Sequence, residues 1–438
     1  MSSLASTPPQ SRMAAAVRSL RHRNFQLFFG GQLISLVGTW MQNVAQSWLV
    51  YRLTGSALLL GAVGFASQIP IFILSPVAGA IVDRRHRHRI IIATQTVSMV
   101  LAFILAALTL YKVVQVWHIF VLAALLGFVN AFDIPARQAF IVEMVGKDDL
   151  MNAIALNSSM FNGARIVGPA VAGILVASIG EGWCFFANAV SYIAVLAGLF
   201  MMKVAPWRPK ERISSALSDI REGFEWVIGT RPIFALLLLV GLISLVGMPY
   251  AVLMPVFAED ILHSGARGLG ILMGFSGAGA LIGALALAAK SGLRGLGTWV
   301  AASSAAFGVF LILFGYSRIF WASAILLIPV GLFMMVQMAA TNTLIQSMVP
   351  DDLRGRVMSV YSMMMMGMAP LGALLAGGLS ERVGAPFTVA IGGILSILGS
   401  IWFGMRLPAI RVEARRLIIA QAYAGGDPAQ EITIVREE

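Results

Sequence analysis

The hexapeptide Leu-Ile-Ser-Leu-Val-Gly occurs twice in this chain, at Leu33–Gly38 and at Leu242–Gly247. Both copies lie in long apolar stretches, 209 positions apart in a chain of 438 residues. Other motifs recur at nearly the same offset: Gly64-Phe65-Ala66 matches Gly274-Phe275-Ser276, and Asp148-Asp149-Leu150 matches Asp351-Asp352-Leu353. Matching motifs in two consecutive halves indicate a parallel internal repeat. In a membrane protein, such a repeat is typical of a transporter whose halves face each other across a central path.

The composition is that of a membrane protein. Hydrophobic residues make up 58% of the chain and charged residues 12%, whereas a soluble domain has about 25% charged residues. A transmembrane helix needs about 20 apolar residues. Stretches of that length are found at 26–50, 57–82, 90–111, 117–144, 151–178 and 183–202, and again at 232–257, 267–289, 297–316, 320–347, 355–378 and 385–406. We therefore expect an all-α membrane protein with twelve transmembrane helices in two pseudo-symmetric six-helix bundles.

The distribution of basic residues predicts the orientation. Two of the 31 Lys and Arg residues, Arg137 and Arg165, fall inside spans. The remainder divide unequally: 24 lie on the side that holds both termini and five on the other side. Positive charge is concentrated on the cytoplasmic side of membrane proteins, so both termini are expected in the cytoplasm. The membrane is expected to be a bacterial inner (plasma) membrane. The net charge of +11 is thus attributed to topology and anionic lipids, and no nucleic-acid partner is expected.

These boundaries predict five regions. A basic cytoplasmic tail (1–24) precedes the N-terminal bundle (25–202), and a cytoplasmic linker (203–231) leads to the C-terminal bundle (232–406) and a cytoplasmic tail (407–438). In the linker, Ile220, Phe224 and Val227 recur at helical spacing, which predicts an amphipathic helix on the cytoplasmic membrane face. The single cysteine, Cys184, excludes an internal disulfide and a cysteine-based metal cluster. We expect no metal and no cofactor, and a monomer.

The loop after the second span contains a motif of known type. It reads Gly79-Ala-Ile-Val-Asp83-Arg84-Arg85-His86-Arg87-His88-Arg89, in which a glycine permits tight helix packing and four arginines face the cytoplasm. A plain positive-inside anchor is one interpretation. At this position the run also resembles the signature loop of the major facilitator superfamily, although His86 replaces the family glycine and His88 a basic residue.

That resemblance implies a conformational latch. Asp83 and Arg87 would act in the latch together with the motif residues Gly79 and Arg84. Asp83 is expected near the start of span 11, beside Arg356, and Arg87 is expected to reach Glu143 at the end of span 4.

Two further stretches resemble exporters of the same superfamily. Span 5 contains Gly163, Gly168, Pro169 and Gly173, residues that permit close helix contact and a bend. This run resembles the antiporter motif of the exporters, while packing glycines are the plainer interpretation. The stretch from Asn130 to Gln138 resembles the branch that contains the bacterial enterobactin exporter and related efflux proteins. The resemblance implies efflux of a siderophore, drug or other secreted metabolite.

Polar residues form a stripe along the first span. They lie at helical offsets that keep them on one face, and the set is Gln32, Ser35, Thr39, Gln42, Asn43 and Gln46. A wet central cavity explains the stripe, and hydrogen bonds to neighbouring helices are the alternative. Asn130, Asn162 and Gln337 are further candidates for lining the cavity. Spans 10 and 11 of the second half are rich in methionine, which suits varied apolar ligands.

Ionisable residues inside spans mark an ion path or a ligand site by default. Asp133 and Arg137 are separated by four positions and can pair along one helix face, and Arg165 lies in the next span. These three residues are the candidates for proton coupling. Because Glu143 lies near the interface, it is a second choice. A static structural pair is the alternative.

These features favour a secondary active transporter that exports a small amphipathic molecule by alternating access, coupled to proton influx. An importer or facilitator of the same fold is a second hypothesis. An intramembrane enzyme is a third, since Gly274-Phe275-Ser276-Gly277 resembles the nucleophile motif of rhomboid proteases. That chemistry needs a histidine base at membrane depth, and all five histidines lie in tails, loops or span ends. A membrane scaffold is a fourth.

Overall fold

The computed structural model describes residues 18–146, 148–204, 216–290 and 292–424, without the side chains of residues 75, 76, 80, 83, 216–221, 351–352 and 422–424. Helices make up nearly all of these ranges. The first half contains α1 (Arg23–Thr54), α2 (Ala57–Asp83), α3 (Arg87–Leu110), α4 (Val116–Val145), α5 (Leu150–Ile179) and α6 (Glu181–Phe200). A linker helix (Ala216–Gly229) follows.

The second half repeats this arrangement. Its helices are α7 (Arg231–Ile261), α8 (Gly265–Ala289), α9 (Leu296–Tyr316), α10 (Phe320–Met348), α11 (Leu353–Val383) and α12 (Ala385–Ala424). Two of them contain π-helical turns, at Ile243–Gly247 and Phe257–Ile261 in α7 and at Met363–Gly367 in α11. The second copy of the hexapeptide therefore ends in a π-turn, whereas the first is α-helical.

Eleven helices in the described part of the chain are long and apolar enough to cross a membrane. These are α2 to α12; α1, with 32 residues, is long enough, but polar side chains along its length reduce its apolar character. The helices coincide with the predicted spans to within a few residues at most ends. The last helix differs, because it continues beyond the predicted boundary at 406 to Ala424. The last part of the expected cytoplasmic tail, 425–438, and residues 1–17 lie outside the described residues.

Glycine contacts repeat between the halves. A Cβ atom at Gly127 in α4 would lie 2.3 Å from the Ser67 carbonyl oxygen of α2, and one at Gly331 in α10 would lie 1.9 Å from the Ser276 carbonyl oxygen of α8. The final glycines of the two hexapeptides behave alike. Gly38 packs against Asn188 of α6, and Gly247 packs against Ser396 of α12 as well as Phe307 of α9. The repeat seen in the sequence is therefore a repeat of helix packing.

Side-chain contacts identify the two ends of the bundle. At the end where α1 begins, called the terminal end here, Asp149 accepts hydrogen bonds from Arg18 and, at 2.7 Å, pairs with His22. These two partners, His22 first, hold the pKa of the Asp149 carboxyl below its usual value. At the opposite, distal end, Arg52 of α1 forms a two-pronged ion pair with Glu181 of α6, at 2.8 and 3.2 Å.

The two halves meet from the distal end to mid-depth. At the distal end, the Tyr51 hydroxyl donates to Asp260, and Glu381 accepts from the Ser56 hydroxyl and from the Leu58 amide. Below these contacts α2 packs on α11, with Gly61 against Ala373 near the distal end and Gly367 against Phe72 at mid-depth.

The pairing of α5 with α8 follows the same course. Gly173 lies against Gly270 in the distal part of these helices, and Gly277 approaches Arg165 at mid-depth. Both seams between the halves therefore close the distal side of the molecule.

The linker helix packs on the protein. A Cβ atom at Gly223 would lie 2.9 Å from the Arg356 carbonyl oxygen, and Glu222 pairs with the Arg356 guanidinium at 2.7 Å. Phe224 and Val227 pack against the core, with Val227 only 4% exposed. The expectation that this apolar face lies on the lipid surface is wrong for these two residues, because the start of α11 and the core cover it. The side chain of Ile220 lies outside the described residues.

Candidate functional site

A hydrogen-bonded ion pair lies inside the first half. The Asp133 carboxylate of α4 is 2% exposed and lies 2.6 Å from the Arg137 guanidinium. Its other oxygen accepts hydrogen bonds from Thr94 Oγ1 at 2.7 Å and Gln95 Nε2 at 2.9 Å, both on α3. Arg137 also donates to Gln32 Oε1 of α1 at 3.0 Å. Three helices therefore converge on one buried carboxylate, which we name the Asp133 network (Gln32, Thr94, Gln95, Asp133, Arg137).

The local sequence explains why this pair forms. Residues four positions apart lie on the same helical face, so Asp133 and Arg137 meet although Pro135 lies between them in the helix. An unpaired charge would be strongly disfavoured in a membrane interior. The ion pair at one carboxylate oxygen and the two hydrogen-bond donors at the other offset that cost. The side chain of Arg137 is 25% exposed, against 3% for Asp133, so Arg137 is the accessible member of the pair.

The sequence pattern did not identify Thr94 and Gln95 as members of the site. Two adjacent polar residues in the apolar α3 were the available signal, and both are buried. Asn188 of α6 was missed for the same reason. Its side-chain amide donates to Gln42 Oε1 at 2.7 Å.

The polar stripe of α1 divides among several neighbours. Gln32 joins Arg137, Gln42 joins Asn188, and Thr39 donates to the Ser35 carbonyl of its own helix at 3.0 Å. Gln32, Ser35 and Gln42 are buried at 2%, 3% and 5% exposure. The other members are more accessible: Thr39 and Gln46 are half-buried, and Asn43 is exposed. Gln32 and Gln42 therefore form hydrogen bonds to neighbouring helices, as the alternative interpretation of the stripe proposed. That the stripe lines a central transport path stays a prediction.

Arg165 lies in a different environment from Asp133. Its guanidinium sits over the Trp40 ring of α1, 5.8 Å from the centroid, and Trp40 contacts Phe161 edge-on. A Cβ atom at Gly277 of α8 would lie 3.2 Å from the Arg165 carbonyl oxygen. The sequence grouped Arg165 with the Asp133 pair, but the contacts place it on the seam between the two halves.

The remaining cavity candidates are placed as follows. Asn162 donates to the Ser158 carbonyl of its own helix at 2.9 Å, and Asn130 is half-buried. Gln337 is 1% exposed, so it belongs to the interior of the second half and does not face open space. Among the described residues, neither amide atom of Gln337 nor the Thr341 hydroxyl has a hydrogen-bond partner. These two residues occupy the repeat positions of Asp133 and Arg137, so the charged network has no counterpart in the second half.

One of the two contacts expected for the latch is present, and its role as a latch stays a prediction. Arg87 donates to the Glu143 carboxylate at 2.5 Å, between the start of α3 and the end of α4. The expected contact of Asp83 involves a side chain outside the described residues. Arg356 pairs with Glu222 of the linker helix, which the sequence did not anticipate. Arg84 is exposed.

Close packing at Gly79 was expected, but the structure contradicts it. A Cβ atom there would have no neighbour within 4 Å among the described residues.

The glycines of α5 serve the helix contacts. A Cβ atom at Gly168 would lie 2.4 Å from Trp40 Cβ, and one at Gly173 would lie 3.0 Å from Gly270 Cα. A Cβ atom at Gly270 would lie 2.5 Å from the Pro169 carbonyl oxygen. This run therefore forms the contact of α5 with α1 and α8. Gly163 differs, because its Cβ position is open among the described residues. The helix is continuous through Pro169.

The serine of the protease-like motif has a structural partner. Ser276 Oγ lies 2.8 Å from the Tyr250 hydroxyl, and its backbone carbonyl contacts the Gly331 position. A tyrosine hydroxyl at this site is not the histidine base that a serine nucleophile needs. The contacts therefore give Ser276 a packing role at the seam between α7, α8 and α10.

Comparison with known proteins agrees with this architecture. Residues 14–426 match the family of transmembrane secretion effectors. The chain is 30% identical over 373 residues to the staphyloferrin A transporter of Staphylococcus aureus, covering 84% of this chain and 93% of the relative. It is 25% identical over 404 residues to the enterobactin exporter EntS of Shigella boydii, covering 90% and 93%. It is 24% identical over 383 residues to macrolide efflux protein A of Streptococcus pyogenes, covering 85% and 93%.

Solved structures share the fold. The nucleoside transporter NupG superposes with a TM-score of 0.67 at 16% identity, covering 89% of this chain and 99% of the other. An inward-facing bacterial homologue of the lysosomal transporter Spinster gives a TM-score of 0.61 at 14% identity, covering 95% and 99%. With eleven candidate spans and bacterial transporters as relatives, the protein is a multi-pass protein of the bacterial inner membrane and not an enzyme. The chain belongs to the transmembrane secretion effector family of the major facilitator superfamily.

Proposed function

We propose that this protein exports a small amphipathic molecule in exchange for protons, by alternating access between two six-helix bundles. In this proposal α1 to α12 all cross the membrane, with α1 as the twelfth span, and both termini are cytoplasmic. The excess of Lys and Arg at the terminal end supports that orientation. The protein would act as a monomer, because each chain contains both halves of the path.

The Asp133 network is the observation on which proton coupling rests. Protonation of Asp133 would remove the negative charge that holds Arg137, and Arg137 is the member of the pair with an accessible side chain. A substrate whose polar group binds the guanidinium in the position where ionised Asp133 holds it would then be released. Substrate and proton would thus act on the same ion pair from opposite sides, and exchange requires that kind of competition.

The closed distal side supports alternating access. The Tyr51–Asp260 and Ser56–Glu381 contacts join the halves at the distal end, and the α2–α11 and α5–α8 seams continue to mid-depth. Because closure at one end leaves access from the other, this conformation would load substrate from the cytoplasm. Outward opening would have to break the distal contacts.

The relatives and the lining favour a secreted metabolite or drug. The named relatives include a staphyloferrin A transporter, an enterobactin exporter and a macrolide efflux protein. The polar groups of the first half face a second half rich in methionine, where Met335, Met338 and Met358 are half-buried. Such surroundings suit a ligand with polar edges and an apolar body.

The test uses proteoliposomes with an imposed pH gradient and a panel of staphyloferrin A, enterobactin and a macrolide. The wild-type protein should drive at least one compound against its concentration gradient, in the direction opposite to proton flow. Asp133→Asn should abolish this gradient-driven transport while retaining counterflow exchange of the same compound. Asp148→Asn, the same substitution at an exposed loop residue, is the control and should transport normally. Accumulation in the same direction as proton flow would identify an importer and refute export.

A further inference from the structure

A cavity of about 660 Å³ opens beside the first half at the terminal end. It is bounded by the end of α2, the start of α3 and the middle of α4. Its rim is basic and consists of Arg85, His86 and Arg89, and its apolar wall is formed mainly by Ile81, Ile90 and Phe132. Among the described residues, neither the Asp133 network nor the second half contributes to the lining.

The lining residues reach into one leaflet of a bilayer. On α3 they run from His86, just before the helix, to Ala93, which is about 10 Å at 1.5 Å per residue. The hydrocarbon core of a leaflet is about 15 Å thick. With the arginines at the headgroup level, the cavity would therefore reach the middle part of an acyl chain.

The lining residues are accessible from the lipid-facing surface. Ile81 is 41% exposed, and Arg85, Arg89 and Ala93 are exposed as well. Phe132 stacks at a tilt with Phe128, which is itself 50% exposed. The surface around the cavity is thus basic toward the terminal end and apolar toward the membrane interior. A phospholipid has the complementary arrangement, with a charged headgroup at the leaflet surface and acyl chains inside.

The basic residues of the cavity favour a lipid with an anionic headgroup. Arg85 and Arg89 lie four positions apart at the junction of α2 and α3, and both line the cavity. Basic pockets between transmembrane helices on the cytoplasmic side bind anionic headgroups. A free phosphate would use the rim alone, and a neutral detergent would use the apolar wall alone. A phosphate diester that carries acyl chains would occupy both.

We propose that this cavity binds an anionic phospholipid. Its phosphate would pair with Arg85 and Arg89, and one acyl chain would lie along Ala93 and Phe132. The lipid would come from the leaflet at the terminal end, and its presence would be independent of the transported substrate. Because Arg87 of the same loop pairs with Glu143, the bound lipid would also stabilise the loop that contains the latch.

The experiment measures lipid retention by the purified full-length protein, using native mass spectrometry with phosphatidylglycerol or phosphatidylcholine added. The wild-type protein should bind one phosphatidylglycerol at least about tenfold more tightly than phosphatidylcholine. The double variant Arg85→Gln/Arg89→Gln should lose this preference, since each basic residue contributes a substantial share of anionic-lipid attraction. The matched control is Arg415→Gln/Arg416→Gln, which removes two exposed charges from the same end on α12 and should keep it.

A second variant separates the two parts of the ligand. Ala93→Trp fills the apolar wall without changing the charge and should also weaken phosphatidylglycerol binding. Equal losses in the two arginine double variants would mean general charge attraction and would overturn the proposal. Binding that millimolar inorganic phosphate abolishes and that Ala93→Trp leaves unchanged would identify free phosphate as the ligand and would overturn it too. Amide hydrogen exchange of the wild-type protein tests the site without a variant: residues 81–93 should be protected in phosphatidylglycerol nanodiscs relative to phosphatidylcholine nanodiscs, and equal exchange contradicts the proposal.

Discussion

Asp133 shows how a single charge is accommodated inside a transmembrane bundle. The carboxylate is buried, and it is paired with Arg137 and hydrogen-bonded to Thr94 and Gln95. Hydrogen bonds to charged groups stabilise them by about 1.5–3 kcal/mol each. The proposed coupling therefore depends on these donors as well as on the acid itself.

Replacing Thr94 by valine tests this dependence. The substitution removes the hydroxyl that donates to Asp133 at 2.7 Å while keeping the shape of the side chain. Loss of this donor leaves the carboxylate of the proposed coupling site held by fewer contacts. We expect gradient-driven transport in proteoliposomes to fall by about tenfold, the equivalent of roughly 1.4 kcal/mol.

Thr96→Val is the control for that measurement. The Thr96 hydroxyl donates to the Ile92 carbonyl of its own helix at 2.7 Å, two positions from Thr94 on α3. Gradient-driven transport by this variant should match that of the wild-type protein. Equal losses in both variants, or no loss in Thr94→Val, would show that the Thr94 hydroxyl is not part of the coupling site.

At the residue scale the sequence predicted the charges better than the neutral contacts. Asp133 and Arg137 stood out because charges inside spans are rare, and their spacing predicted their pairing. Gln42 and Asn43 are adjacent and of similar polarity, yet one is buried against Asn188 and the other is exposed. Successive residues of a helix are rotated by about 100°, so these two lie at opposite edges of the polar stripe. Which edge faces a neighbouring helix depends on packing between helices, which the sequence of one helix does not contain.

At the scale of helices, glycines determine how closely the helices approach. Gly127 and Gly331 allow α4 to touch α2 and α10 to touch α8, with carbonyl oxygens where a side chain would otherwise stand. In membranes, close contact of this kind is a main source of helix association. The sequence revealed the repeat through its motifs, and the structure shows that these glycines preserve it.

Gly331→Ala should destabilise the second half. The added Cβ atom would lie 1.9 Å from the Ser276 carbonyl oxygen, and overpacking of this kind costs about 1–3 kcal/mol. Gly274→Ala is the matched control in α8, because its Cβ position is open among the described residues. Thermal unfolding in detergent can be followed with a thiol-reactive dye, since Cys184 is buried and becomes reactive on unfolding. Gly331→Ala should melt at lower temperature than the wild-type protein, and Gly274→Ala should not. Equal melting temperatures of Gly331→Ala and the wild-type protein would show that the close contact at Gly331 does not contribute to stability.

At the scale of the whole molecule, the distal contacts hold the two bundles together. Tyr51–Asp260 and Ser56–Glu381 both pair a hydroxyl from the first half with a carboxylate from the second. Alternating access requires these contacts to separate in each cycle. The sequence placed the spans and the repeat but not these contacts, because they join residues 209 and 325 positions apart through the packing of the two halves.

A disulfide across the distal end should stop transport. In a Cys184→Ser background, Gly64→Cys combined with Ala373→Cys would form a disulfide on oxidation, because a Cβ atom at Gly64 would lie 3.7 Å from the Ala373 Cβ atom, within the range that a disulfide needs. Transport in proteoliposomes should fall to background and recover on reduction, because the halves could no longer part at this end. Each single cysteine variant is the control and should be insensitive to oxidant. Undiminished transport by fully cross-linked protein would contradict alternating access at this site.

Proton release on substrate binding tests the central claim most directly. The purified protein in weakly buffered detergent solution is mixed with a compound that it transports, and a pH-sensitive dye records the protons released. The account predicts that the wild-type protein releases protons on binding and that Asp133→Asn binds the same compound without releasing any. Equal proton release by Asp133→Asn and the wild-type protein would contradict the account, because the exchanged proton would then reside on another group.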